Sequence, residues 1–172
     1  MSPLQAEEIF ACLDRHEVAY VLIGGLAAVL HGSPLPTVDA DICPAEEPEN
    51  LARLAGALVE LDARIRTPDT PGGVSFPRDA AFLGNVRLLN LQTRFGDLDL
   101  AMTPAGTEGF ADLARRAVAM TIHGSRVAVA ALEDVIRSKE AANRPKDLRS
   151  LPVLRQLLEE LRKGSPGSSS SP

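Results

Sequence analysis

Aromatic side chains are scarce in these 172 residues: tryptophan is absent, and five phenylalanines and one tyrosine make up only 3% of the chain. A core built on stacked rings is excluded, so the 45% of residues that are hydrophobic must supply it as Leu, Val, Ile and Ala. A domain of about 150 residues buries roughly 70% of its unfolded surface, so one aliphatic core is enough. Cysteine is nearly missing too; Cys12 and Cys43 are too few for a disulfide framework. No run approaches the roughly 18 consecutive apolar residues of a membrane span, and no basic segment leads into an apolar one at the N-terminus. The expectation is a cytoplasmic protein with no membrane partner. Lysine occurs only three times, against fifteen arginines, and the formal net charge is −5. Broad, non-specific nucleic-acid binding needs many phosphate-neutralising cations and is therefore not expected. A local basic patch remains open, because Arg137, Lys139, Arg144, Lys146 and Arg149 fall in one segment with Glu140 and Asp147. Its simplest reading is a solvated helix face.

Hydrophobic periodicity organises the rest. Leu4, Ile9, Phe10 and Leu13 recur at helical spacing from Pro3 to about Glu17, with Ser2 as the cap. The apolar run Tyr20 to Ile23 reads as a buried strand that stops at Gly24-Gly25. A short helix from Leu26 to His31 ends at Gly32, two prolines at 34 and 36 break any regular structure, and a second strand runs from Val38 to Cys43. Pro48 to Leu61 is an amphipathic helix, and Thr67 to Pro77 is a Pro- and Gly-rich loop or irregular strand connection. Val86 to Thr93 and Leu98 to Met102 form a hairpin around Phe95-Gly96. Gly106 to Arg116 is expected to be helical, two short strands flank Gly124-Ser125, and helices over Leu132 to Asn143 and Asp147 to Leu161 close the chain. The reading is one α/β domain over 1–163, with a short mixed sheet of about five strands flanked by helices, and a disordered tail over 164–172.

The chemistry concentrates between Tyr20 and Cys43. Glycines let a backbone approach a ligand closely, and the start of a helix offers unpaired N–H groups to an anion. Taken alone, Gly24-Gly25 is equally a tight strand-to-helix turn. Strand alternation places Asp39 and Asp41 on one face, with Ala40 and Ile42 on the other. Two carboxylates side by side repel each other and lose hydration unless a cation joins them, and magnesium commonly links one or two carboxylates to substrate phosphates. Solvated carboxylates at a strand edge are the alternative. A second alternating pair follows in Gly96-Asp97-Leu98-Asp99-Leu100. Asp97 adjoins the turn and reads as solvated, whereas Asp99, flanked by leucines inside the strand, is the candidate site residue.

Several fragments, in order, then resemble one family. They are Gly24-Gly25-Leu26-Ala27, His31-Gly32, Thr37, Asp39-x-Asp41, Gly96-x-Leu98-Asp99-Leu100, and Gly106-Thr107-Glu108-Gly109. Leu132-Glu133-Asp134-Val135-Ile136 with Lys139, and Arg144-Pro145-Lys146-Asp147, complete the set. The sequence resembles the minimal nucleotidyltransferases, in particular the AbiEii/MenT-like toxin nucleotidyltransferases. The resemblance implies the nucleotidyltransferase fold, with the site at one edge of a mixed sheet. It also implies transfer of a nucleoside monophosphate from an NTP to an acceptor such as tRNA or a protein hydroxyl, with a cognate antitoxin protein as partner. Asp39, Asp41 and Asp99 would hold Mg2+ or Mn2+ and, with Lys139, carry catalysis. Gly24, Gly25, Thr37 and Lys139 would bind the NTP.

The sequence departs from that pattern at one loop. Relatives often carry an arginine between the His-Gly and the Thr, where this chain has Ser33-Pro34-Leu35-Pro36. A missing guanidinium removes a bidentate phosphate contact. The competing reading is therefore a catalytically weak or inactive nucleotide- or partner-binding module, unless Arg94 compensates; a small-molecule transferase is a third. His31 reads as a helix-end residue, Cys43 as a small buried thiol, and His16 and His123 receive no role.

Overall fold

A computed structural model describes residues 3–164. Ser2, expected as a cap, and all but Gly164 of the disordered tail expected over 164–172 lie outside the described residues. Eight strands, β1 (Tyr20–Ile23), β2 (Asp39–Pro44), β3 (Arg64–Thr67), β4 (Thr70–Val74), β5 (Leu88–Thr93), β6 (Gly96–Ala101), β7 (Val118–Ile122) and β8 (Ser125–Val129), form one sheet. Its order is β4-β3-β5-β6-β2-β1-β8-β7. The pairs β2/β6 and β1/β8 are parallel and the other neighbours antiparallel. The helices are α1 (Ala6–Arg15), α2 (Gly24–Leu30), α3 (Pro48–Glu60), α4 (Ala80–Leu83), α5 (Phe110–Ala114), α6 (Leu132–Ala142) and α7 (Pro145–Gly164).

The mixed α/β class holds, but the expected sheet of about five strands is too small. The principal addition is the β3–β4 hairpin, which carries no alternating apolar pattern because it is an edge ribbon. Pro71 is tolerated there because an edge strand need not donate on its outer side. Gly73 takes φ +71, and a β-carbon on it would stand 2.8 Å from the Arg64 side chain. The Pro- and Gly-rich segment is thus largely ordered strand.

Element bounds differ for local reasons. Helix α1 starts at Ala6 rather than Pro3, because the Gln5 N–H donates to the Phe95 carbonyl (2.8 Å) and ties the preceding residues to the β5–β6 turn. Helix α5 is shorter than expected because Gly106 and Gly109, at φ +73 and +92, cannot continue a right-handed helix. Helix α7 begins at Pro145, a position that needs no N–H donor, and runs through Pro152 to Gly164. Pro152 removes one helical donor, and the carbonyl it would have served belongs to the exposed Leu148.

The core is aliphatic, as composition required. Ala40, Ile42, Leu98 and Leu100 are fully buried, with Ile9, Leu13, Leu54 and Leu58 from α1 and α3. Each of these leucine and isoleucine side chains contributes on the order of 2 kcal/mol through burial. Helix α1 packs on β8 and α3, whereas α2 packs on β1, β2 and α6, and α6 on α7. This second set of helices, with the ends of β1, β2 and β6, frames the main cavity.

Candidate functional site

Strand register gathers the acidic residues. In the parallel β2/β6 pair, Asp39 stands opposite Asp97 and Asp41 opposite Asp99. Alternation sends the intervening Ala40, Ile42, Leu98 and Leu100 into the core and leaves the carboxylates on the other face. One carboxylate oxygen from each of Asp39, Asp41 and Asp99 lies within 4.8 Å of the other two. All three line a cavity of about 1130 Å³. Asp97 is held apart, its carboxylate 3.2 Å from Arg66 Nη1, so it is ion-paired rather than merely solvated.

The glycines are fixed by the same register. Ile23 pairs with Asp41 across β1/β2, which brings the next residue, Gly24, against that carboxylate. Gly24 has φ +70, and a β-carbon there would lie 2.5 Å from Asp41 Oδ2. No other residue fits without displacing the acid. A β-carbon on Gly25 would stand 3.1 Å from Thr37 Oγ1. Thr37 Oγ1 in turn donates to the Asp39 carbonyl at 3.2 Å. Gly24, Gly25, Thr37 and the three acids therefore meet on one cavity wall.

Burial is the main influence on Asp41 and Asp99. It pushes Asp41 up to about 7, aided by the charges of Asp39 and Asp99 and opposed by Lys146 and Lys139. Asp99 is also raised, first by burial, while Arg66 pulls the other way. Three oxygen donors that resist sharing negative charge form a set suited to a hard divalent cation such as magnesium or manganese. The glycines beside them let Asp41 and Thr37 pack directly on the backbone where α2 begins.

Lys139 sits on α6 with its Nζ 3.5 Å from Asp147 Oδ1. Asp147 has no exposed side-chain surface, and it also accepts from Arg144 Nε at 2.7 Å and the Arg144 N–H at 3.2 Å. Burial alone would raise Asp147; these bonds and the Lys139 charge bring it below the usual carboxylate range. One buried acid thus fixes two cations on the cavity wall. The basic segment divides accordingly: Lys139, Arg144, Lys146 and Arg149 line the cavity. Arg137 turns to Asp112 and Asp134, at 3.1 and 3.0 Å.

Arg66 is the site residue that sequence reasoning missed. Its Nη2 lies 3.0 Å from Asp99 Oδ1, and its Nη1 donates to the Leu91 carbonyl at 2.9 Å. Strand β3 pairs with β5 at Ile65 and Leu91, which carries Arg66 toward Asn90, itself opposite Asp99 on β6. The sequence around it gave little to find it by: Ile65 is the one apolar residue of β3, and it adjoins a segment that reads as loop. Arg94, by contrast, lies on the β5–β6 turn with its N–H donating to the Leu61 carbonyl, and it is absent from the cavity wall. Leu35 does line the cavity. His31 closes α2, and its Nε2 lies 2.8 Å from the Ala130 carbonyl. Cys43 is buried, its Sγ 3.5 Å from the Met102 carbonyl, and burial pushes its thiol up to about 12.

This arrangement of sheet and helices is shared with solved nucleotidyltransferases. The chain superposes on the lincosamide antibiotic adenylyltransferase LnuA, solved with lincomycin bound, at a TM-score of 0.57 and 14% identity, covering 91% of this chain and 99% of that one. The antibiotic-resistance factor ANT(2'')-Ia gives 0.54 at 16% identity, covering 91% and 86%. A Thermotoga maritima protein described as a nucleotidyltransferase gives 0.52 at 17% identity, covering 92% and 97%. At these identities the likeness establishes the fold. By sequence, the chain matches no family model and no curated protein.

Proposed function

We propose that this chain transfers a nucleoside monophosphate from an NTP to an acceptor hydroxyl and releases pyrophosphate. The observation that carries the reading is the convergence of Asp39, Asp41 and Asp99 beside the Gly24-Gly25 turn, where Asp41 packs on the bare backbone of Gly24. Asp39 and Asp41 would hold Mg2+ or Mn2+, with Asp99 sharing the site. A bound divalent ion supplies charge neutralisation at the phosphates and polarises the phosphoryl group. Gly24, Gly25 and Thr37 position the triphosphate, and Lys139 supplies counter-charge. Arg66 provides a guanidinium at the carboxylates, which supports turnover over the binding-only reading despite Leu35. Asp99, with its affinity for protons raised by burial, would accept the acceptor hydroxyl's proton.

Arg144, Lys146 and Arg149 on the cavity wall favour a polyanionic acceptor, and tRNA is the acceptor we assign, in the manner of a toxin restrained by an antitoxin protein. One observation favours a small-molecule acceptor instead. Val38 and Leu88, 76% and 64% exposed, also line the cavity and would suit an apolar surface. LnuA, by its name, adenylylates lincosamide antibiotics.

The test is pyrophosphate release from each of the four NTPs, with magnesium or manganese, in the presence of cellular RNA, protein or small hydroxylated acceptors. Asp39→Asn and Asp99→Asn should each lower the rate on the order of a thousandfold, the scale seen when transition-state charge loses a stabilising partner. Asp97→Asn should stay within about tenfold of wild type, because Asp97 serves Arg66 rather than the carboxylate cluster. No release with any NTP would sink the reading, and equal losses at Asp97 and Asp99 would sink the assignment of roles.

A further inference from the structure

We propose that Cys12, His16 and Glu60 form a second metal site, for one zinc-class divalent cation, that clips α1 to the end of α3. Cys12 and His16 are four residues apart, one helical turn, so their side chains leave the same face. Glu60 is the last residue of α3. One potential ligand atom from each lies within 4.8 Å of the other two, and His16 Nε2 is already 2.6 Å from Glu60 Oε2. Tetrahedral zinc, with bonds of about 2.0–2.3 Å, wants ligand atoms about 3.5 Å apart. Closing the triad therefore takes side-chain movement on the order of 1 Å.

The imidazole has a prepared seat. Gly56 of α3 lacks the β-carbon that would stand 3.2 Å from His16 Nδ1 and 3.4 Å from its Cε1. The ring thus rests against bare helix, with Nε2 turned to Glu60. Cys12 contributes a buried sulfur, 3.6 Å from the Ala57 carbonyl. None of the three lines the main cavity, so this site is separate from the carboxylate cluster. Its donors also differ in kind. Sulfur and imidazole nitrogen select zinc and its relatives, whereas the oxygen-only cluster suits magnesium or manganese. Three protein ligands leave the fourth position to water. Binding exchanges the Cys12 S–H for a metal–sulfur bond, with the thiol proton leaving to solvent, and breaks the His16–Glu60 hydrogen bond, the neutral imidazole keeping its proton on Nδ1. Arg15 is the competitor, since its guanidinium also bonds Glu60.

Cobalt(II) is the probe, added to the full-length, metal-free chain. One equivalent should produce a thiolate-to-cobalt charge-transfer absorption, which oxygen ligands at Asp39, Asp41 and Asp99 cannot give. Cys12→Ser should abolish the band, and Glu60→Gln should weaken binding at least about tenfold. Arg15→Ala removes the competing cation and should tighten binding severalfold, a gain that a purely structural ion-pair cluster would not show. Zinc should displace cobalt and raise the melting temperature even in the Asp41→Asn variant. Absence of the band in wild type overturns the proposal, as does a band that survives Cys12→Ser and so belongs to Cys43. Glu60 is exposed, so Glu60→Gln keeps the test decisive should Cys12→Ser fail to fold: unchanged cobalt affinity in that variant also overturns it.

Discussion

Asp41→Asn is expected to stabilise the metal-free protein at pH 8 and to remove its activity at the same time. The stability half follows from the raised pKa. Asp41 ionises near 3.8 when unfolded and near 7 when folded, because burial comes first and Asp39 and Asp99 add repulsion. A raised acid helps folding fully below the lower value and loses that help as pH rises through the upper one. Between about pH 4 and 7 the wild type should therefore lose up to roughly 3–4 kcal/mol relative to the asparagine variant, from a shift of about three pH units at 1.36 kcal/mol each. Asp112 and Asp147, whose carboxyls are held low, weaken the fold at acid pH in both proteins and cancel in the difference. The activity half follows from the donor set, because asparagine cannot supply the second charge of the β2 pair. Urea denaturation of both proteins from pH 4.5 to 8 measures the first. Saturating magnesium with an NTP should then stabilise only the wild type, closing or reversing the gap. Parallel pH curves would show that Asp41 is not buried among like charges.

Gly24→Ala and Gly25→Ala should fail in different ways, although the residues are adjacent and each gains one methyl. Gly24 has φ +70, which costs a side-chain-bearing residue about 1–2 kcal/mol. Its new β-carbon would also strike Asp41 Oδ2, 2.5 Å away, on a strand that cannot retreat. A total loss of roughly 2–4 kcal/mol is expected, with the carboxylate displaced and activity gone. Gly25 lies inside α2 with no such strain, and alanine favours a helix by up to about 1 kcal/mol. Its β-carbon meets only the Thr37 side chain, Oγ1 at 3.1 Å and Cβ at 3.3 Å. Gly25→Ala should keep the wild-type denaturation midpoint within about 1 kcal/mol and still bind NTP poorly, because the methyl pushes Thr37 from its place on the cavity wall. Denaturation midpoints and NTP affinity, measured together, separate the two. A Gly25→Ala protein with unimpaired affinity would place the triphosphate elsewhere.

What was legible in the sequence divides along physical lines. Strand alternation is local, so Asp39 with Asp41, and Asp97 with Asp99, could be assigned to shared faces before any fold was known. The choice of Asp99 over Asp97 rested on distance from the turn. In the structure Asp99, opposite Asp41, joins the cluster and Asp97 does not, while Arg66 bridges both β6 acids. Both features are tertiary: one is strand register, and the other needs an arginine from an edge hairpin two strands away. An edge ribbon buries little and leaves no periodic apolar trace, so β3 and β4 read as loop and the sheet was undercounted. The basic segment was legible as a charge run only. Its division between cavity wall and internal ion pairs depends on Asp147, whose complete burial no local pattern reveals.

The most direct test of nucleotidyl transfer is the fate of two labels on one NTP, one at the α-phosphate and one at the γ-phosphate. With magnesium and the acceptor pool, the α label should enter the acceptor while the γ label appears wholly in pyrophosphate, and Asp39→Asn should abolish both. Transfer of the γ label to the acceptor, or hydrolysis that releases both labels with none retained, would contradict the account.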